Sequence, residues 1–232
     1  MTNSKIGLLE REKEVLRLIG LFIENKFKFI VVGGYAISTY KKRFSVDLDV
    51  VIKENDISKF EELLLKEGYS IYYEKEITLL YGENFKRLRK KMNNLPVDVD
   101  LLINGLVSRT TDATWSFENI EKNSQERKLD SLEFLTPTRE LLISMKMHSG
   151  RLSDIRDIVA LMPCDKNKLR EFLLKGNLSN LKDSIKKQLS FLEKPQFDDS
   201  FKGIFGIKVY NKKEIESAKR LFIELLKEIG GE

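Results

Sequence analysis

The feature that most constrains this chain is a pair of aspartates inside an apolar, β-branched run, VDLDVVI at residues 46–52. Side chains along a strand alternate between its two faces, so Asp47 and Asp49 share one face while Leu48 and Val50 share the other. The two carboxylates repel each other unless a cation lies near both. Because the end of the run is apolar, we expect a strand at the margin of a polar pocket and not on an open sheet surface.

A second run repeats this pattern. The sequence VDVDLLI, at residues 97–103, places Asp98 and Asp100 on one face of another predicted strand. A third carboxylate from this strand would complete an oxygen-rich site of the kind that suits Mg²⁺. The pattern alone leaves Asp98 and Asp100 as alternatives for this third ligand.

Two adjacent glycines, Gly33 and Gly34, close the short β-rich run at residues 28–32. They predict a strand that ends in a tight turn, followed by a short helix. Because glycine has no side chain, such a turn can bring backbone N–H groups close to phosphate oxygens, and the N-terminus of the next helix favours negative charge. The interval between Gly34 and Asp47 leaves room for this helix before the chain returns as an adjacent strand.

The order of the predicted elements indicates an α/β (α+β) fold with two regions. Residues 1–135 form the α/β core and residues 136–232 form a mainly helical region, which we expect to pack on the core because no low-complexity linker separates them. The first region is predicted to contain a helix near the N-terminus, strands at 28–32, 46–52, 69–77, 78–81 and 97–103, and helices at 35–40 and 56–67. The second is predicted to contain helices at 139–149, 153–162, 166–175, 178–192 and 212–229, with Thr136 and Pro137 as a helix cap and first helical position.

The composition is that of a globular protein and argues against several kinds of site. Charged residues make up 33% of the chain and hydrophobic residues 41%, which is unlike a disordered sequence. One cysteine and one histidine cannot form an internal disulfide or a structural zinc site. No apolar run approaches the roughly 20 residues that a bilayer requires, so we expect no membrane contact. The single cysteine favours a reducing compartment, and we therefore expect a cytoplasmic protein.

Positive charge is in modest excess, with a net charge of +5. The densest basic cluster is FKRLRKK, at residues 85–91. A cluster of this kind can contact RNA or a nucleotide, but it is more often a solvated loop or helix face. Both interpretations stay open from the sequence.

A second group of candidate residues lies in the helical region, within MKMHSGRLSDIRDIVAL at residues 145–161. Lys146 lies at the edge of an apolar helical face, from which its ammonium can reach toward phosphates or simply extend to solvent. Arg151 and Asp154 are separated by one helical turn and can pair with each other. Asp157 can orient Lys146 or contribute to packing between helices.

The glycine turn and the aspartate pair together resemble the active-site signature of the DNA polymerase beta-like nucleotidyltransferase superfamily. The run YKKRFSVDLD, at residues 40–49, is more narrowly similar to the AbiEii-type nucleotidyltransferases, many of which are toxins of toxin–antitoxin or abortive-infection systems. The resemblance covers roughly residues 28–160. It departs from the superfamily pattern at the turn, where many members have Gly-Ser and this chain has Gly34 followed by Tyr35.

The resemblance implies a mixed β-sheet flanked by helices and an enzyme that moves a nucleoside monophosphate from an NTP to an acceptor hydroxyl. It implies that Asp47, Asp49 and Asp100 bind Mg²⁺, with two ions when NTP is bound, and that Asp100 helps to activate the acceptor hydroxyl. Asp98 is the alternative to Asp100, which is preferred because an apolar run follows it, as one follows Asp49. The residues expected to contact the nucleotide are Gly33, Gly34, Arg43, Ser45, Lys146, Arg151, Asp154 and Asp157.

The same resemblance indicates the class of the acceptor and of the partners, but not their identity. The acceptor would be a tRNA, a protein side chain or a small molecule such as an aminoglycoside, and a toxin would have an antitoxin protein as partner. The alternative function is a non-catalytic nucleotide- or RNA-binding module on the same scaffold, in which a lost carboxylate would be the usual sign. All three carboxylates are present here, which favours the enzyme.

Overall fold

The structure is a computed structural model that describes residues 3–72, 84–194 and 211–230. It contains two compact units. The first consists of Met1–Val107 and Trp115–Thr138, and the second of Ser108–Thr114 and Arg139–Glu232. The strand predicted at residues 78–81, and most of the one at 69–77, lie outside the described residues.

The first unit alternates helices and strands in the way that the sequence predicts. In chain order its described elements are α1 (Asn3–Glu24), β1 (Ile30–Val32), α2 (Gly33–Ser38), β2 (Asp47–Ile52), a 3-10 turn (Glu54–Asp56), α3 (Ile57–Lys66), β3 (Ser70–Tyr72), β4 (Phe85–Met92), β5 (Leu95–Ile103), β6 (Gly105–Val107), β7 (Thr114–Ser116), α4 (Phe117–Lys122), β8 (Ser124–Leu129) and β9 (Leu132–Pro137).

Five of the described strands form one mixed sheet in the order β1-β2-β5-β4-β3. Strands β2 and β5 are parallel, and the other neighbouring pairs are antiparallel. Strands β6 with β7 and β8 with β9 form two further two-stranded ladders. The expected mixed α/β sheet with flanking helices is therefore confirmed.

One face of this sheet carries the hydrophobic core of the first unit. Leu48 and Val50 of β2 and Val99 of β5 pack in one cluster with buried side chains of α1 and α3. These helices contribute Phe22 and Phe60, whose rings meet edge to face with centroids 4.9 Å apart. Because side chains alternate along a strand, the aspartates of β2 and β5 must lie on the opposite face of the sheet.

The hairpin of β4 and β5 corrects one sequence expectation. The basic cluster at residues 85–91 is neither a loop nor a helix face, because it forms strand β4. Asn93 and Asn94 form the turn that joins the strands, with φ values of 50° and 64°, and Met92 pairs with Leu95 across it. Two successive residues with positive φ are typical of a type I′ hairpin turn, in which asparagine is favoured.

The second unit is helical, as expected. Its described elements are α5 (Arg139–Ser149), a 3-10 turn (Leu152–Asp154), α6 (Ile155–Ala160), α7 (Lys166–Leu173), α8 (Leu178–Leu192) and α9 (Lys212–Gly230). The helix start expected at Thr136 and Pro137 is wrong, because both residues pair with β8 as the last part of β9. The first helix begins at Arg139. No helix in the described part of the chain has the length and apolar character needed to cross a bilayer.

A buried histidine ties the segment 108–114 to the helices of the second unit. His148 Nε2 donates to the carbonyl oxygen of Leu173 over 2.9 Å, and its Nδ1 lies 2.6 Å from the Thr111 hydroxyl. The Ser108 hydroxyl donates to the His148 carbonyl oxygen over 2.7 Å. Burial lowers the pKa of His148 to about 4, so the ring is neutral and Nδ1 accepts from Thr111 at neutral pH.

Candidate functional site

The register of β2 and β5 brings the two aspartate pairs together on one face. Asp47 pairs with Asp98, and Asp49 pairs with Asp100, on parallel neighbouring strands. Residues in register on adjacent strands point to the same face, and the strands lie about 4.8 Å apart. All four carboxylates therefore share the face opposite the hydrophobic core. We call this surface the carboxylate face.

Two arginines of β4 complete the carboxylate face. Arg87 pairs with Asp100 and Arg89 with Asp98 across the hairpin. Arg87 donates through Nε and Nη2 to the two Asp100 oxygens, both over 2.6 Å. Arg89 makes the same two-pronged contact to Asp98 over 2.6 and 2.8 Å. The two β5 aspartates are thus each paired with a guanidinium group of β4 on this face.

Asp100 is the more deeply buried of the two β5 aspartates. Its side chain is 6% exposed, compared with 14% for Asp98. Burial raises the pKa of Asp100, the Arg87 guanidinium lowers it, and the nearby Asp47 and Asp98 carboxylates raise it again. The net direction is upward, which makes Asp100 a stronger proton acceptor than an ordinary aspartate.

The glycine turn lies directly against the carboxylate face. Val32, the last residue of β1, pairs with Asp49. Gly33 follows with a φ of 61°, and a Cβ atom added there would lie 1.9 Å from Asp49 Oδ2. A Cβ added at Gly34 would lie 2.2 Å from the Ser45 hydroxyl oxygen. Both positions therefore require glycine for steric reasons, and Gly33 also for its backbone conformation.

The loop before β2 links the glycine turn to the first aspartate. The Ser45 hydroxyl donates to Asp47 Oδ1 over 3.0 Å, and the Tyr35 hydroxyl donates to the Ser45 carbonyl oxygen over 3.0 Å. The Arg43 guanidinium lies on the same side of the turn, with Nη2 3.4 Å from the Cβ position of Gly34. The structure therefore brings together Gly34, Arg43, Ser45 and Asp47, all of which the sequence predicted as site residues.

The remaining four predicted site residues form an ion cluster within the second unit. Lys146 Nζ lies 3.0 Å from Asp154 Oδ1 and 2.8 Å from Asp157 Oδ2, and Arg151 Nε donates to Asp154 over 2.9 Å. Burial lowers the pKa of Lys146, but the two carboxylates raise it more, so the ammonium stays charged. This ammonium is hydrogen-bonded to carboxylates, while the Arg151 side chain is 60% exposed.

The aspartates of the carboxylate face are not arranged around a common metal position. Within residues 3–72, 84–194 and 211–230, no three His, Cys, Asp or Glu side chains are arranged to hold a metal ion. Both oxygens of Asp100 point to Arg87. Carboxylates on one shared face suit a divalent ion, but their side chains would have to rotate before they could bind the same ion.

Sequence reasoning missed Arg87 and Arg89 as partners of the aspartates. The signal was present in the Asn93-Asn94 pair, which favours a two-residue hairpin turn. Counting outward from such a turn places residue 89 opposite Asp98 and residue 87 opposite Asp100. The hairpin register could therefore have been read from the sequence, whereas the pairing of β2 with β5 could not.

Two more basic residues of β4 are also paired within the first unit. Lys86 Nζ lies 2.6 Å from Glu61 of α3, and Lys90 Nζ lies 3.0 Å from Glu14 of α1. These two side chains point to the core-facing side of the sheet, opposite to Arg87 and Arg89. The cluster at residues 85–91 thus holds helices and carboxylates in place, which weakens its interpretation as an RNA contact.

The architecture matches solved structures. Comparison with models of known protein families and with curated proteins gives no match. The antigenic nucleotidyltransferase-like protein from Paracoccidioides brasiliensis is similar with a TM-score of 0.50 and 14% identity, over 89% of this chain and 97% of that one. A candidate nucleotidyltransferase from H. pylori is similar with a TM-score of 0.50 and 12% identity, over 100% and 98% of the two chains. The chain has a nucleotidyltransferase fold.

The match also extends, at a lower score, to an enzyme with a bound antibiotic. The lincosamide antibiotic adenylyltransferase LnuA, in its lincomycin-bound structure, has a TM-score of 0.48 and 19% identity, over 65% of this chain and 95% of that one. The fold rests on the two structures with TM-scores of 0.50, and at their identities of 14% and 12% a likeness establishes the fold and not the reaction. The AbiEii-type subgroup is a narrower assignment than these matches support.

Proposed function

We propose that the chain transfers a nucleoside monophosphate from an NTP to an acceptor hydroxyl and releases pyrophosphate. The observation that carries this proposal is the parallel register of β2 and β5, which places Asp49 beside Asp100. Asp49 also lies against the turn at Gly33, where a side chain would collide with its carboxylate. Carboxylates next to a bare backbone turn suit a metal-bound triphosphate better than any apolar ligand.

A divalent ion fits the donor set of the carboxylate face. We propose that Asp47, Asp49 and Asp100 hold Mg²⁺, with Asp98 as the alternative third ligand and two ions when NTP is bound. Carboxylate oxygens are the hard ligands that Mg²⁺ prefers, and four carboxylates come from neighbouring positions of β2 and β5. When bound, Mg²⁺ would neutralise phosphate charge as pyrophosphate leaves.

The protein groups have separate roles in this proposal. Backbone N–H groups of Gly33 and Gly34 bind the triphosphate, and Arg43 and Ser45 lie close enough to the turn to contact it. The acceptor oxygen attacks the α-phosphorus, the bond from that phosphorus to pyrophosphate breaks, and the acceptor proton moves to Asp100. Asp100 is suited to this role because it lies in register with Asp49, which contacts the turn.

The ion cluster of the second unit is proposed to contact nucleotide on the strength of the sequence resemblance alone. Lys146, Asp154 and Asp157 form a buried ionic network that fixes α5 against α6. Arg151, which is anchored to Asp154 but largely exposed, is the member best suited to reach a phosphate. Lys146, Asp154 and Asp157 would then act by holding Arg151 and the helices in place.

The narrower parts of the proposal concern the acceptor and the biological setting. The acceptor is a tRNA, a protein side chain or a small molecule. The run at residues 40–49 supports an AbiEii-type enzyme, and with it a toxin role in the cytoplasm with an antitoxin protein as partner. These statements go beyond the nucleotidyltransferase fold.

The proposal is tested by incubating the protein with each α-labelled NTP, Mg²⁺ and three acceptor classes: total tRNA, cell protein and aminoglycosides. We expect label in one acceptor class with the wild-type chain and about a 100-fold loss or more in Asp47→Asn and Asp49→Asn. Asp56→Asn is the matched control, because Asp56 pairs with Lys59 outside the carboxylate face. Undiminished transfer by the double variant Asp47→Asn, Asp49→Asn would contradict the proposal.

A non-catalytic nucleotide-binding module is the second candidate. It is favoured by one observation, since Arg87 and Arg89 neutralise the two β5 aspartates in the way that metal ions otherwise would. NTP binding that depends on Mg²⁺, without transfer to any acceptor class, would support this alternative.

A further inference from the structure

The contact between Arg87 and Asp100 conflicts with metal binding by Asp100. Both carboxylate oxygens accept short hydrogen bonds from the guanidinium, over 2.6 Å each, and the Asp100 side chain is 6% exposed. A divalent ion placed at the same oxygens would lie close to a guanidinium of like charge. At such a distance the two like charges repel each other, and a partly buried site screens this repulsion less than water does.

We propose that Arg87 is a positioning residue that competes with the divalent ion for Asp100, so that the third carboxylate becomes a metal ligand only when Arg87 turns away. This inference rests on the proposed function, because it takes Asp100 as a metal ligand. In the metal-free protein Arg87 neutralises and orients Asp100. On metal binding the ion takes over both roles.

The structure offers Arg87 a second position on the same face. Its Nη1 lies 3.8 Å from Asp98 Oδ2, and its guanidinium lies 5.7 Å from the centre of the Phe85 ring. A small rotation toward Asp98 would release Asp100 without moving the guanidinium into an apolar environment. The exchange is then between two carboxylates, and Asp98 would be shared by Arg87 and Arg89.

Arg89 makes the same kind of contact but is in a different position in the sheet. The row that contains Arg87 continues through Asp100 and Asp49 to the glycine turn, whereas Arg89 pairs with Asp98 in the neighbouring row. The Arg89 guanidinium also stacks on the Tyr72 ring, 3.6 Å from its centre, which holds it in place. Arg89 is thus a matched control, because it makes the same bidentate contact to an aspartate in the neighbouring row of the sheet.

The test measures Mn²⁺ binding to the full chain at pH 7.5, without nucleotide, by the loss of the free-ion electron paramagnetic resonance signal. We expect Arg87→Gln to bind Mn²⁺ about tenfold more tightly than the wild type or better, and Arg89→Gln to differ by less than about twofold. Arg87→Lys keeps the positive charge but cannot make the bidentate contact, so its Mn²⁺ affinity should lie between those of the wild type and Arg87→Gln. Adding Asp49→Asn should remove the tight binding in the Arg87→Gln background.

A second measurement follows metal binding in the wild-type protein itself. In the wild type, Mg²⁺ titration followed by side-chain NMR should shift the Nε–H signal of Arg87, which donates to Asp100, and leave that of Arg89 in place. Arg87→Lys assigns the signal. If both signals stay unchanged while Mg²⁺ binds, the proposal is overturned.

The outcomes separate this inference from the proposed function. Equal Mn²⁺ affinity in the wild type and Arg87→Gln, together with its loss in Asp49→Asn, overturns the competition and leaves the metal site intact. Tighter binding in Arg89→Gln but not in Arg87→Gln also overturns it and assigns Asp98 as the third ligand. Absence of Mn²⁺ binding in every variant overturns both the competition and the proposed metal site.

Discussion

At the scale of single residues, the site depends on two glycines as well as on its carboxylates, because there is no room for a side chain at either glycine. Gly33 and Gly34 leave space that Asp49 and Ser45 occupy, at 1.9 and 2.2 Å from the positions of the missing Cβ atoms. A real side chain at either position would force these neighbours to move. The glycine turn and the acidic strand therefore form one sterically coupled unit.

This coupling gives a stability prediction at Gly34. Gly34 lies in the first turn of helix α2 and has no positive φ, so its backbone conformation alone does not require glycine. We expect Gly34→Ala to lower the free energy of unfolding by about 1–3 kcal/mol, because its Cβ collides with Ser45. Chemical denaturation of the purified variant measures the change.

The control for this prediction is the double variant Gly34→Ala, Ser45→Gly, in which the colliding side chain is gone. We expect it to recover most of the stability that Gly34→Ala loses, relative to Ser45→Gly alone. A Gly34→Ala variant as stable as the wild type, or one that Ser45→Gly does not rescue, would show that the turn tolerates a side chain.

At the level of single elements, alternation along each strand is readable from the sequence, but the pairing of strands is not. The pattern of Asp47 and Asp49 correctly predicts which face of β2 is polar. Their proximity to Asp100 depends on the parallel pairing of β2 with β5, a contact between segments far apart in sequence that no local pattern encodes. Arg87 is an intermediate case, because its partner follows from the local turn at residues 93 and 94.

Strand β4 is also joined to helix α1, through a buried carboxylate. Glu14 accepts hydrogen bonds from Arg17 over 2.8 Å and from Lys90 over 3.0 Å. Burial alone would raise the pKa of Glu14, but these two cations outweigh it and lower the pKa to about 2. The folded protein therefore holds this carboxylate ionised at pH values where the unfolded chain, with a pKa near 4.5, is protonated.

This pairing predicts a loss of stability in acid. The contribution of Glu14 is fully present above about pH 4.5 and is lost as the pH falls toward 2. Because the Arg17 side chain is 42% exposed, solvent screening limits the contribution to about 1–2 kcal/mol. Glu14→Gln should lower the free energy of unfolding at pH 7 by this amount and flatten its fall between pH 4.5 and 2.

Glu67→Gln provides the comparison for Glu14→Gln. Glu67 also accepts from Arg17, over 2.7 Å, but it is more exposed than Glu14. Its loss should cost less than about 0.5 kcal/mol. Equal effects of the two substitutions in urea denaturation would refute the buried role of Glu14.

In the second unit, His148 predicts a different pH dependence. Its pKa is about 4 when folded and 6.5 when unfolded, so between these values the unfolded chain binds a proton that the folded protein does not. Stability should therefore fall as the pH drops from 6.5 to 4, by up to about 3 kcal/mol. His148→Gln should be less stable at pH 7.5, and its stability should change less over this range. A slope as steep as that of the wild type would assign the effect to other groups.

For the whole molecule, the sequence predicts the fold class, but it does not show which basic residues are paired with acidic ones. Lys and Arg balance Asp and Glu in the first unit, and the whole positive excess belongs to the second unit. In the most conspicuous basic cluster, at residues 85–91, four of the five basic side chains are paired with acidic side chains inside the first unit. A polyanionic acceptor would therefore be attracted mainly by the second unit.

The central claim is that the carboxylate face transfers a nucleoside monophosphate, and a dual-label experiment tests it most directly. The protein is given its acceptor and ATP, or whichever NTP is active, labelled at either the α- or the γ-phosphate. We expect the α-label to become attached to the acceptor, the γ-label to leave as pyrophosphate, and both events to fall by about 100-fold or more in Asp47→Asn. Transfer of the γ-label to the acceptor, or α-label transfer by Asp47→Asn at the wild-type rate, would contradict the claim.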